Sequence, residues 1–227
     1  MSAHQLSLAH LIREPAKIST SSLPPLLLLL HGIGSNEEDL FSLAPYLDER
    51  FLIVSARAPV VLGPASYGWF NIEFTPQGMT ADVEQAKRSL EQLQLFIDEL
   101  VESYGADSRC VYLMGFSQGA MMSLAVSLTC PAKVAGAVIM SGRFPAQLAE
   151  HEPNLQALKG KPFFVTHGIY DPTLPIEQGR AVKKNLEALS VKLAYREYPM
   201  GHEVSLESLR DVSAWLSRAL DEGCVSI

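Results

Sequence analysis

Cysteine is scarce in this chain. There are three, Cys110, Cys130 and Cys224, odd in number, widely spaced and without a C-x-x-C pair. That argues against a disulfide scaffold and a thiolate zinc site, and it points to a reducing, cytoplasmic setting. Positive charge is also short, with 18 Lys and Arg against 25 Asp and Glu and a net charge of −7. The largest basic pairs, Lys87-Arg88 and Lys183-Lys184, sit on helix-like faces. A nucleic-acid backbone or an anionic membrane surface would want clustered cations, so neither partner is expected. No apolar run is long enough to span a bilayer, since residues 26–30 stop at His31-Gly32. The opening M-S-A-H-Q-L-S-L has no basic and apolar regions of signal-peptide kind. A dinucleotide fingerprint is missing too, because Gly32-Ile33-Gly34 is followed at the third place by Glu37. Neither a cofactor nor a metal is expected. No repeat, low-complexity tract or linker divides the chain, and one domain over residues 1–227 is the expectation.

What is present is an alternation of short apolar runs and helix-length amphipathic segments. Hydrophobic residues make up 48% and charged residues 19%, as in an ordinary globular chain. Residues 5–12 alternate loosely, as an edge strand would, and residues 19–25 read as a turn. Runs at 26–30, 51–55, 111–114, 134–140, 163–166 and 192–198 read as strands. Helices are expected over 37–47 (capped by Ser35 or Asn36), 80–104, 120–128, 176–189 and 205–220. Strands separated by helices imply an α/β fold with a mostly parallel sheet, helices on both faces and no large lid. Residues 60–79 show no clear periodicity and read as a long loop.

The organising stretch is V-Y-L-M-G-F-S-Q-G-A-M-M, beginning at Val111. It places Gly115 and Gly119 around Ser117, between a buried strand and a helix, which is the context of a nucleophile elbow. A serine on so tight a turn needs neighbours almost without side chains, and the start of the helix then faces any oxyanion formed there. A serine hydroxyl needs a base, and the base needs an orienting acid, in the chain order Ser, acid, His for this fold. Of six histidines, His4, His10 and His151 read as surface residues. His31 and His167 precede the acid and read as loop-pinning hydrogen-bonders. His202 alone is late and follows a strand, so it is the expected base. Asp171, in H-G-I-Y-D-P, is the expected acid, with Glu177 and Asp211 as the fallbacks. The N–H of Gln118 and one from the His31–Gly34 loop would form the oxyanion hole.

These residues carry a resemblance. L-H-G-I-G-S-N-E-E-D-L, R-A-P-V with the later W-F, G-F-S-Q-G-A-M, H-G-I-Y-D-P-T-L-P and Y-P-M-G-H-E-V-S resemble the phospholipase/carboxylesterase family of α/β-hydrolases over nearly the whole chain. That resemblance implies Ser117, Asp171 and His202 as nucleophile, acid and base, with the Ile33 and Gln118 N–H groups as oxyanion donors. It implies a serine esterase cleaving short- to medium-chain carboxylic esters of small molecules, and it allows a homodimer. Ala120 and Leu174 stand where many members carry glycine and valine. The alternatives are an acyl-protein thioesterase or lysophospholipase activity, or a hydrolase-fold binding protein without catalysis. Trp69, Phe70, Ile72 and Phe74 crowd the 60–79 stretch; Trp69 and Phe70 are candidates for the acyl-side wall of the site, with packing into the core or a subunit contact as the alternative. Leu174 and Val204, close in sequence to Asp171 and His202, complete the candidate substrate contacts.

Overall fold

The computed structural model describes residues 6–16, 23–75, 78–148 and 154–223, with the side chains of 73–75 and 78–79 left aside. His4, His151, the side chain of Phe74 and most of the expected 19–25 turn therefore lie outside the described residues. In chain order the elements begin with β1 (His10–Arg13), β2 (Leu26–Leu30), α1 (Glu37–Phe41) and β3 (Leu52–Ala56). Four short strands follow: β4 (Val60–Gly63), β5 (Ser66–Gly68), β6 (Ile72–Thr75) and β7 (Gly78–Ala81). Then come α2 (Val83–Tyr104), β8 (Val111–Phe116), α3 (Gln118–Thr129) and β9 (Gly136–Met140). The chain continues through α4 (Leu155–Leu158), β10 (Pro162–Gly168), α5 (Ile176–Glu187), β11 (Lys192–Tyr198) and α6 (Leu206–Gly223).

A seven-stranded sheet runs in the order β1-β3-β2-β8-β9-β10-β11. Only β1 is antiparallel, paired with β3 as an edge strand, and every other pairing is parallel. The β2 run is entirely leucine because both of its faces are covered. The pleat sends Leu26, Leu28 and Leu30 into a core shared with α2, α3 and α5, while Leu27 and Leu29 meet α1 and α6. The α2 helix shows the expected amphipathic stripe, burying Ala86, Leu90, Leu93, Ile97 and Leu100. By contrast α3 is buried on every side from Gln118 to Leu128, which makes it the central helix of the molecule. Among the described residues no helix is long and apolar enough to cross a membrane.

Three expectations need correction. Residues 60–79 are not one irregular loop but hold two antiparallel hairpins, β4–β5 and β6–β7, the first with a register shift between Val61 and Gly63. The second hairpin takes Thr80 and Ala81, so α2 starts later, capped by Asp82 accepting the Gln85 N–H at 2.9 Å. The helix expected over 37–47 stops at Phe41 and gives way to a 3₁₀ turn, Ala44–Tyr46. Pro45, without an N–H, cannot continue the α ladder. Asn36, one of the two candidates, is its N-cap, accepting the Glu38 N–H at 2.9 Å. Finally, Cys110 is disulfide-bonded, while Cys130 keeps a free thiol. Distance along the chain says nothing about distance in space, so the cysteine argument for a reducing compartment does not hold.

Leu28 sits at the middle of the sheet, paired with Val54 on one side and Leu113 on the other, and is fully buried. Leu28→Ala should cost about 2–5 kcal/mol of stability. Urea unfolding will read this out, and a loss below about 1 kcal/mol would contradict close packing at the sheet centre.

Candidate active site

The order β3-β2-β8 contains the point where connections leave in opposite directions, and open parallel sheets bind ligands at the carboxyl ends of strands beside such a point. The 31–34 loop leaves β2 there and Ser117 leaves β8. Leu30 and Gly115 are register partners, so the two loops start side by side. Ser117 has φ 54° and ψ −114°, a conformation a residue with a Cβ adopts only under constraint. The constraint is packing. A Cβ on Gly115 would lie 2.3 Å from the Gly119 carbonyl oxygen, and one on Gly119 would lie 2.0 Å from that of Leu30. Backbone touches backbone here, and only glycine fits.

The Ser117 hydroxyl lies 2.9 Å from Nε2 of His202, whose Nδ1 lies 2.7 Å from Oδ2 of Asp171. With Asp171 ionised the carboxylate only accepts, so Nδ1 carries the proton and Nε2 presents its lone pair to the serine. The other carboxylate oxygen, Oδ1, accepts the N–H groups of Thr173 at 2.9 Å and Leu174 at 2.8 Å. The two loops are joined by backbone bonds from Ile169 N–H to Tyr198 O and from Tyr170 N–H to Met200 O. His202 packs its ring 4.9 Å from that of Phe116.

The competing groups are occupied elsewhere. His167 is fully buried against Gly179 of α5 and donates from Nε2 to the Leu174 carbonyl at 2.7 Å, which pins the loop that carries Asp171. Asp211 accepts from Arg196 at 2.6 Å and Tyr198 at 2.7 Å, and the Tyr198 bond heads the causes that hold its carboxyl below the ordinary range. Glu177 is exposed on the first turn of α5.

The loop after β2 is fixed by His31. Its Nδ1–H donates to the Gly32 carbonyl at 2.7 Å, and its Nε2 accepts the Ala58 N–H at 3.0 Å. Gly32 C=O and Ile33 N–H belong to one trans peptide plane, so holding the carbonyl also sets the direction of that N–H. Among the described residues neither the Ile33 nor the Gln118 N–H has an acceptor within the protein. Gln118 stands at the first position of α3, where helix N–H groups are left open and the helix dipole favours negative charge.

Sequence reasoning gave no role to the Gln118 side chain. Its Oε1 accepts the Trp69 N–H at 2.6 Å and its Nε2 donates to the Phe70 carbonyl at 2.8 Å. Trp69 also donates its indole N–H to the His31 carbonyl at 3.0 Å, and its own carbonyl accepts from Ser89. The Trp69 side chain is fully buried in the core rather than walling the site. A large apolar side chain with a donor at its edge is satisfied there on both counts. Phe70, its neighbour, does line a cleft of about 510 Å³ with Met121, Arg143, Phe144, Leu148 and Gln178. Met121 is one helical turn past Ser117, its N–H bonded to the Ser117 carbonyl at 3.2 Å. None of Ser117, Asp171, His202, Leu174 and Val204 lines this cleft. Leu174 is held between Asp171 and His167, and Val204 packs against the core on the α6 side.

A mostly parallel sheet covered on both faces, with a serine turn of this kind at its carboxyl edge, defines the α/β-hydrolase class. The family model described as phospholipase/carboxylesterase matches residues 16–220. Acyl-protein thioesterase 1 of Kluyveromyces lactis is 33% identical over 210 residues, covering 86% of this chain and 91% of that protein. A probable carboxylesterase of Arabidopsis thaliana, named SOBER1-like, is 28% identical over 212 residues, covering 88% of this chain and 80% of that protein. Among solved structures, the Bacillus cereus carboxylesterase superposes with a TM-score of 0.79 at 25% identity, over 93% of this chain and 94% of that one. The chain belongs to the phospholipase/carboxylesterase family and is a serine hydrolase of carboxylic esters.

Burial holds the His31 imidazole below the ordinary histidine range, because desolvation disfavours the cation. Protonation would also remove the acceptor that Ala58 uses. The unfolded chain takes up this proton near pH 6.5 while the folded one resists it, so stability is full above that pH and falls as pH drops below it. Wild-type melting temperature should therefore decline from about pH 6.5 downward. His31→Asn, less stable overall, should show a shallower decline in that window. Equal slopes for the two proteins would remove His31 as the titrating group.

Proposed function

We propose that Ser117 is the nucleophile, His202 the general base and Asp171 the acid that orients it. The single observation behind this is the unbroken series of hydrogen bonds from Ser117 Oγ through His202 to Asp171, starting at a serine held in a strained turn. As Oγ attacks the ester carbonyl, Nε2 takes its proton and the carbonyl oxygen becomes an oxyanion. Asp171 stabilises the resulting imidazolium without taking its proton. The open N–H groups of Ile33 and Gln118 receive the oxyanion, and each donor of this kind is worth about 3–4 kcal/mol in the transition state. Collapse of the tetrahedral species breaks the bond to the alcohol oxygen, which leaves with the proton from Nε2. Water then repeats the sequence on the acyl-enzyme, and the carboxylic acid is released with Ser117 restored.

The cleft beside Met121 and Phe70 receives the acyl group in this reading, and its volume of about 510 Å³ suits short to medium chains. A second reading, thioester hydrolysis, is favoured by the name of the Kluyveromyces lactis relative. The acyl-enzyme steps would be the same with a thiol leaving, protonated from Nε2, and a matched ester and thioester pair assayed with purified protein separates the two.

Ser117→Ala should lower kcat on a p-nitrophenyl butyrate substrate by three or more orders of magnitude with the melting temperature little changed. Asp171→Asn keeps an oxygen for the Thr173 and Leu174 N–H groups but presents an amide to His202, which imposes the wrong tautomer. Its kcat should fall on the order of 10⁴-fold. Near-full activity in Asp171→Asn, measured by steady-state kinetics, would show that the orienting acid is another group.

A further inference from the structure

We propose that Arg143 binds an anionic group on the substrate, so that the preferred esters carry a carboxylate or phosphate about one helical turn from the scissile carbonyl. The inference rests on the reading of Ser117 as nucleophile and names the substrate class of that site.

Among the described residues, Arg143 is the one charged side chain lining the cleft; the rest of its walls are apolar or neutral, with Thr80, Gln147 and Gln178 as polar groups. Among the described residues no carboxylate lines the cleft beside it. The contrast with the other arginines is what gives this weight. Arg50, Arg57, Arg109, Arg180 and Arg196 are each paired with a carboxylate, and Arg13 donates to backbone carbonyls. Arg88, Arg210 and Arg218 make no ion pair among the described residues, but all three stand exposed in solvent. Arg143 is half-buried and still makes no ion pair or hydrogen bond among the described residues. A partly desolvated guanidinium without an acceptor is held at a cost unless a ligand supplies one.

Its place in the fold puts it next to the chemistry. The Ser117 N–H bonds to the carbonyl of Met140, the last residue of β9, at 2.9 Å. The chain then passes Ser141 and Gly142, and a Cβ on Gly142 would lie 2.7 Å from that of Ala120 in the first turn of α3. Arg143 therefore leaves the backbone beside the helix whose N-terminus Ser117 caps. It shares the cleft with Met121, a rise of about 6 Å along that helix from Ser117. A planar guanidinium matches a carboxylate or phosphate with two parallel N–H···O bonds, whereas a neutral ester offers it only weak acceptors.

The test compares charged and uncharged substrates of the same skeleton. Monoethyl glutarate against diethyl glutarate places the anion on the acyl side. Butyryl-glycerol phosphate against monobutyrin places it on the alcohol side. In at least one arm the wild-type kcat/KM for the anionic substrate should exceed that for its neutral counterpart by roughly ten- to hundred-fold, the range of a charge-assisted hydrogen bond. The excess should appear mainly in KM and shrink as salt is raised. Arg143→Gln should bring the ratio in that arm to about one, and Arg143→Lys should retain part of it. A wild-type ratio at or below one in both arms overturns the inference, and so does a ratio that Arg143→Gln leaves unchanged. Ser117→Ala, run in parallel, separates the two readings. If it stays active the nucleophile is misassigned, while if it is inactive on every substrate and no anion preference exists, only the role of Arg143 falls.

Discussion

The first turn of α3 lies against the end of β2 so closely that Gly119 meets the carbonyls of Leu30 and His31 with no room for a methyl group. This contact between backbones governs the rest of the site. It forces the sharp reversal at Ser117, and with it the positive φ that lifts the hydroxyl out of the sheet. It also brings the open N–H of Gln118 alongside the loop that carries Ile33. Strain of this kind persists only where the surroundings over-determine it. Here they do so through a helix buried on all sides, the Met140 carbonyl bonded to the Ser117 N–H, and leucines filling both faces of β2.

Around that contact the polar groups are arranged in two layers. The inner layer comprises Ser117, the His202 imidazole, the Asp171 carboxylate and the open N–H groups of Ile33 and Gln118. The outer layer holds the inner one in register: His31 on the Gly32 carbonyl, His167 on the Leu174 carbonyl, and the Gln118 amide on the backbone of Trp69 and Phe70. Both histidines are fully buried. Their aromatic rings fill space that a smaller polar group would leave empty, while each still satisfies a backbone carbonyl.

Much of this was legible in the residues. A strand buried on both faces announces itself as an unbroken apolar run, and residues 26–30 and 111–114 both do so. The glycines around Ser117 and the chain order of Ser117, Asp171 and His202 identified the residues that the fold brings together. What stayed hidden had physical reasons. The hairpins between residues 60 and 81 use strands of three or four residues with a register shift, too short for alternation to be read. The apolar character of Trp69 says that it is buried but not whether in a wall or a core, and its bonds to His31 and Gln118 settle that only in three dimensions. Pro45 marks a helix end in hindsight, yet proline is also tolerated in a first turn. The Gln118 side chain follows no motif of its own. It could be found only by asking where the N–H of Trp69 and the carbonyl of Phe70 go.

The order of the sheet has a consequence for how the molecule is made. The serine turn belongs to β8 and is braced by β2 and β9, all in the first two thirds of the chain. Asp171 follows β10, and His202 follows β11, the last strand to be laid down at the outer edge. A nascent chain growing from its N-terminus thus carries the braced Ser117 turn well before His202 has been added. The imidazole reaches Ser117 only after β11 has paired with β10, and of the described elements α6 then still has to close that end of the sheet. The hydrogen-bonded series from Ser117 through His202 to Asp171 is therefore tied to the late strand β11, and a chain that stops short of it bears the serine turn without that series.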